Sequence, residues 1–313
     1  MMRARLRSLW LMIATAAVLA LTPAPGRALE MRLSSHPVVI YYNQNEERVA
    51  RRVAEICEER LDELCAQVGL AQAPPVDIEI ADDVERYRRR FGGELPRWGV
   101  AFAIMGEGKM VVDVVRATRA WNSLESVIPH EFSHLLVAAR LPRTPVPIWF
   151  LEGLAQWQAE EWSLVDSWQL MNAVWSNKAP KLWQLQDRYP AGEEIARNAY
   201  RISYTAFTRL FEGRTEEIPA FLDEVERQGG FEPGFLEYFG EYPMSFYVSF
   251  QEHLQGKYHS RLMIFQTGPL FSLLAAVFLV VAIRFYIRKR RRLKEMPDGP
   301  GGDAWSGQGP AAS

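Results

Sequence analysis

The chain has 313 residues, with 36 Lys and Arg against 38 Asp and Glu, for a formal net charge of −2. The charge is unevenly spread: residues 29–260 hold 24 basic and 35 acidic side chains, and the positive excess sits at the two ends. That middle region is long enough to bury a sizeable core, and its acidity argues against nucleic acid and anionic lipid headgroups as its partners.

The N-terminus reads as a targeting segment. Arg3, Arg5 and Arg7 precede the apolar run Leu9 to Leu21, and small residues follow up to Ala28. This order predicts a signal peptide over 1–28, because the run is short for a membrane span of about 20 residues. The region beyond it would then work outside the cytoplasm.

Pro37 to Tyr42 predicts a strand. Glu46 to Val68 carries apolar residues at helical spacing and predicts a helix. Cys57 and Cys65 lie on it about 12 Å apart, too far to bridge. Val76 to Ile80 alternates as a strand, and Asp82 to Arg90 predicts a short helix with a solvated arginine face. Trp98–Met105 and Met110–Val115 predict a hairpin around Gly106-Glu107-Gly108. These elements make up an N-terminal α+β lobe over 29–120, followed by a helical lobe over 121–258.

The chemistry concentrates in His130-Glu131-Phe132-Ser133-His134. On a helix, His130 and His134 are one turn apart and project from one face. Two imidazoles at that spacing can hold one Zn²⁺, and Glu131 then stands where a base on the metal's water is needed. Asn122 to Glu125 has the form of a capping box that would start this helix. Pro129 predicts either a bend or a helix that effectively begins there. Three prolines, Pro142, Pro145 and Pro147, then prevent one continuous helix. A second apolar helical stretch follows and carries Glu152; folding back across the loop Leu141 to Val146 would bring Glu152 to the histidines, completing a His₂Glu set. Gln156, one helical turn further on, is a candidate to orient a ligand histidine. Six tryptophans between Trp149 and Trp183 predict an aromatic core.

The pair H-E-x-x-H and Pro147-Ile148-Trp149-Phe150-Leu151-Glu152-Gly153-Leu154-Ala155 resembles the gluzincin zinc metallopeptidases of the peptidase MA-like group, related to thermolysin and the M1 aminopeptidases. The resemblance spans roughly Trp98 to Leu254. It implies an α+β, zincin-like domain, one Zn²⁺ per chain on His130, His134 and Glu152, and Glu131 as catalytic base. Ala199-Tyr200-Arg201-Ile202-Ser203 is similar to the group's A-Y-x-x-S segment, which makes Tyr200 the first and Tyr204 the second candidate for an oxyanion donor. The substrate it implies is a peptide or protein. Two other readings stand beside it: a catalytically weak or inactive zincin-fold scaffold or sensor of the cell envelope, and a zinc hydrolase acting on a non-peptide bond.

At the far end, the apolar stretch Pro269 to Ile287 has one charge, Arg284, and is followed by Arg288-Lys289-Arg290-Arg291-Arg292. This predicts a transmembrane helix over 262–287 that would contact the lipid bilayer, with a cytoplasmic basic, disordered tail over 288–313.

Overall fold

The computed structural model describes residues 29–82, 84–85, 99–190, 192–265 and 268–294, with backbone alone for 259–265, 268–271 and 289–294. The expected signal peptide over 1–28, most of the expected helix over 82–90, Trp98 and the tail from 295 lie outside the described residues. The described chain divides into two units, one up to Gln255 and one from Gly256.

The first unit is α+β, mostly helical, with one small mixed sheet. The alternating pattern of Val76, Ile78 and Ile80 buries one face of strand β3 (Val76–Ala81). Beside it lie β2 (Val38–Tyr42), in parallel, and β1 (Leu29–Arg32), antiparallel to β2. β5 (Lys109–Asp113) pairs parallel on the other side of β3, and β4 (Ala101–Ile104) closes the order β1-β2-β3-β5-β4 as an edge strand antiparallel to β5. β1 has no counterpart in the sequence reading. β5 is shorter than expected, because Asp113 caps a short helix α2 (Val114–Arg119) by accepting from Arg116 N.

Helix α1 (Glu47–Gln67) buries Val49, Val53, Ile56, Leu61 and Leu64, with Cys57 and Cys65 as buried free thiols on the same side. Then come α3 (Leu124–Arg140), α4 (Ile148–Gln158), α5 (Leu164–Trp175), α6 (Glu193–Phe211), α7 (Ile218–Gln228), α8 (Phe231–Phe239) and α9 (Pro243–Phe265). Trp149, Phe150, Phe207, Phe211, Phe221 and Phe235 form the aromatic core of this helical part, and Trp149 Nε1 donates to Tyr247 OH at 3.1 Å.

Two local expectations are corrected. The capping box at Asn122 to Glu125 does not form: Ser123 Oγ donates to Ala120 O at 2.7 Å, and Glu125 pairs with Arg52. α3 runs unbroken from Leu124 through Pro129, which is buried inside it. Of the six tryptophans only Trp149 is buried; Trp157 and Trp162 are half-buried, and Trp168, Trp175 and Trp183 are exposed. α5 buries Leu170, Ala173 and Val174, which turns Trp168 and Trp175 outward.

The second unit contains the end of α9 and helix α10 (Gly268–Lys294). The transmembrane helix expected over 262–287 is corrected here. That stretch straddles the end of one helix at Phe265 and the start of the next at Gly268. Among the described residues, no helix is long and apolar enough to cross a membrane.

Candidate metal centre

Helical spacing on α3 puts His130 and His134 side by side, with ring centroids 5.1 Å apart. α4 folds back across α3 after the proline-rich loop and presents Glu152 to both. His130 Nε2 lies 3.3 Å and His134 Nε2 3.7 Å from Glu152 Oε2. One donor atom from each of the three residues falls within 4.8 Å of the others, and the group could hold a metal ion. Glu152 Oε2 is buried and receives no hydrogen bond despite these two near nitrogens. A buried carboxylate oxygen with no donor is costly unless a cation meets it. Two imidazole nitrogens and one carboxylate oxygen are a donor set that suits a divalent transition metal or zinc.

α4 can approach α6 because residue 153 is glycine. A Cβ there would stand 2.5 Å from Ser203 O and 2.6 Å from Phe207 Cβ. The same contact is stitched by Gln156, whose Nε2 donates to Glu152 O and Tyr200 O, both at 2.9 Å. Gln156 therefore binds helix to helix and touches no histidine. The partner of His130 is Glu161, with Oε2 at 3.2 Å from Nδ1.

Glu161 reaches that position through the end of α4. Glu160 N donates to Trp157 O and Glu161 N to Gln156 O, the paired bonds of a Schellman turn. The residue in the left-handed conformation is Glu160, at φ 54°, where glycine is usual. The turn points Glu161 back along α4 toward α3. The next residue, Trp162, stacks on Tyr204 with centroids 4.4 Å apart and planes 6° from parallel, and donates to Ser167 Oγ.

Glu131 faces the edge of the sheet, where its Oε2 accepts from Ala103 N at 2.6 Å. Burial pushes its carboxyl up to about 7, with Glu152 and Glu161 adding to the rise against the pull of His130 and of the Ala103 N–H. His130 lies well above the usual histidine range: burial pulls it down, but Glu161 and Glu152 together outweigh that. Burial takes His134 down to about 4, with His130 nearby adding to the fall. Glu152 lies below the usual carboxylate range, because His134 and His130 outweigh its burial.

The two candidate tyrosines part company. Tyr200 is raised above the ordinary phenol range by burial and then by Glu152, Glu131 and Glu161, so its hydroxyl belongs to the electrostatic surroundings of the cluster. Tyr204 is raised by burial alone and lies against Trp162. Tyr189, which the sequence reading passed over, supports Tyr200: the rings meet edge to face at 4.8 Å, and Tyr189 OH and Ser203 Oγ share a hydrogen bond of 2.7 Å.

No family model, curated protein or solved structure matches the chain. The likeness to gluzincins stands on the two motifs and on the residues that carry them.

Proposed function

We propose that this protein is a zinc metallopeptidase that hydrolyses peptide bonds of a peptide or protein substrate outside the cytoplasm. One Zn²⁺ per chain would be held by His130, His134 and Glu152. The observation that carries this reading is the buried convergence of those three donors on an unsatisfied carboxylate oxygen, with Glu131 beside them and not among them.

When bound, the ion would supply Lewis-acid polarisation of a carbonyl and make water acidic enough to yield a nucleophile near neutral pH. Glu131 is the base of this scheme: its carboxylate can take a proton from water and return it to the departing amine. Ala103 N–H holds one of its oxygens, which fixes the carboxylate against the sheet edge. Tyr200 keeps its proton at neutral pH and can donate it to a developing oxyanion. Among the described residues β4 is an edge strand, and beside the Ala103 N–H that Glu131 takes, its outward backbone groups can meet an extended peptide. Glu161 accepts from His130 Nδ1, which fixes the tautomer and leaves the Nε2 lone pair turned toward Glu152 and His134.

The test combines elemental analysis with digestion of a peptide library. The wild type should carry one zinc and cleave; Glu131→Gln should keep the zinc and lose the cleavage. A folded wild type without stoichiometric metal overturns the reading. Full biological activity in Glu131→Gln, together with its loss in His134→Ala, would make the metal structural and the protein a scaffold.

A further inference from the structure

The alternation along β4 decides which backbone groups are open to a ligand. Asp113 N donates to Val100 O, and Phe102 and Ile104 stand opposite Val111 and Lys109. Residues 100, 102 and 104 therefore turn their N–H and C=O toward β5, and Ala101 and Ala103 turn theirs outward. The outward Ala103 N–H meets Glu131, so the reacting centre lies against this point of the strand.

Two residues further along is Met105, 47% exposed. There a cavity of about 430 Å³ opens, lined by Met105, Val137, Ala138, Leu141, Val146 and Leu151. Its walls continue the metal cluster in sequence and in space. Val137 and Ala138 follow His130 and His134 at helical spacing on one face of α3, Leu141 comes just after its end, and Leu151 adjoins Glu152. Val137 and Leu141 lie about 5 and 10 Å along the helix from His134, which is two to three residues of extended peptide.

We propose that this cavity takes a large apolar side chain of the substrate, two or three residues to the N-terminal side of the scissile bond; the proposal rests on the peptidase reading above. The side follows from strand direction. β4 runs toward Met105, and a peptide added antiparallel runs the other way, so its residues near Met105 precede those near Ala103. Antiparallel addition repeats the pairing β4 already makes with β5 and is the more stable kind. Arg143 also borders the cavity and sets a bias against lysine and arginine there.

The experiment measures binding to the zinc-loaded full chain, without need of turnover. Peptides ending in a C-terminal hydroxamate place all their residues on the N-terminal side of the metal. The second and third residues before the hydroxamate are varied among Leu, Phe, Ser and Lys. Leu or Phe at one of these positions should bind about 10- to 100-fold more tightly than Ser, the range expected for burying such a side chain, and Lys should bind most weakly. Ala138→Trp, which fills the cavity, should reduce the preference to about twofold or less. Should Ala138→Trp fail to fold, Met105→Asp on the exposed rim serves the same purpose.

No binding of any hydroxamate by a metal-loaded wild type would overturn the peptidase reading, and the proposal with it. Binding without an apolar preference, or a preference that both variants leave intact, would overturn the cavity alone. A preference found only in inhibitors extended to the C-terminal side of the metal would overturn the direction.

Discussion

Replacing Glu161 separates the orientation of a metal ligand from its charge. Glu161 Oε2 stands 3.2 Å from His130 Nδ1 and is the carboxylate on that face of the ring. Loss of such a partner typically weakens metal binding about 10- to 100-fold, or about 1.4–2.7 kcal/mol at 1.4 kcal/mol per tenfold. Two effects oppose each other in Glu161→Ala. The ring loses its orienting acceptor, which weakens binding. Glu161 is also one reason His130 lies well above its ordinary range, so its removal lowers that affinity for protons and lessens their competition with the metal. A raised histidine holds its proton below its own pKa and releases it above. The loss of metal affinity should therefore be largest on the alkaline side, where neither protein has a proton to displace, and should shrink as the pH falls. Glu161→Gln keeps an acceptor for Nδ1–H and should lose less than the alanine variant. The assay is competition with a chromophoric zinc chelator across neutral pH, with circular dichroism to verify folding. Equal affinities of wild type and Glu161→Ala on the alkaline side would refute the argument.

Glu131→Gln should lower turnover by about 10²–10⁴ while zinc content stays near one per chain, read by single-turnover kinetics beside elemental analysis. Tyr200→Phe should cost about 10²–10³ in kcat. Tyr204→Phe should cost much less, because that ring lies against Trp162; the reverse order would move the oxyanion donor one turn along α6. Gly153→Ala should destabilise by about 1–3 kcal/mol in urea titration, since its Cβ would meet Ser203 O at 2.5 Å and separate α4 from α6. Glu160→Gly should stabilise by about 0.5–1 kcal/mol, because φ 54° suits glycine and the exposed ion pair with Arg60 that it gives up is worth little; a fall in Tm would contradict the turn geometry.

The grouping of His130, His134 and Glu152 was legible because helical spacing is a local rule. His130 and His134 share a face whatever surrounds them, and the prolines after Leu141 force a turn that leaves a short helix free to carry Glu152 back. Glu161 was not legible, because its position depends on a left-handed residue that is not glycine, and nothing in Ala159-Glu160-Glu161-Trp162 marks that turn. Gln156 stood at a helical spacing that made it a fair candidate for the histidine, but the close approach at Gly153 put the Tyr200 carbonyl within its reach instead. The exposed tryptophans could not be told from core ones by composition; only the packing of Leu170, Ala173 and Val174 decides which way α5 turns. The C-terminal stretch misled for the opposite reason. The apolar stretch Pro269 to Ile287 lies inside α10, and the span expected over 262–287 reaches back across the helix boundary between Phe265 and Gly268.

The charges of the site make their own case for a cation. Glu131, Glu152 and Glu161 converge on two imidazoles, of which burial takes His134 down to about 4 while Glu161 and Glu152 hold His130 above the usual range. Three carboxylates around two imidazoles is a concentration of negative charge in a place where water can supply little screening. The protein meets part of it by holding Glu131 near 7, so that this carboxyl is protonated about as often as not at neutral pH. One backbone N–H, from Ala103, meets Glu131, and Glu152 Oε2 has only the two imidazole nitrogens near it. A divalent ion at the shared point of His130, His134 and Glu152 would supply the missing charge. The same ion would draw Glu131 down from about 7 toward its ionised form, which is the form a base requires. Filling the metal site and arming the base would then be one electrostatic event.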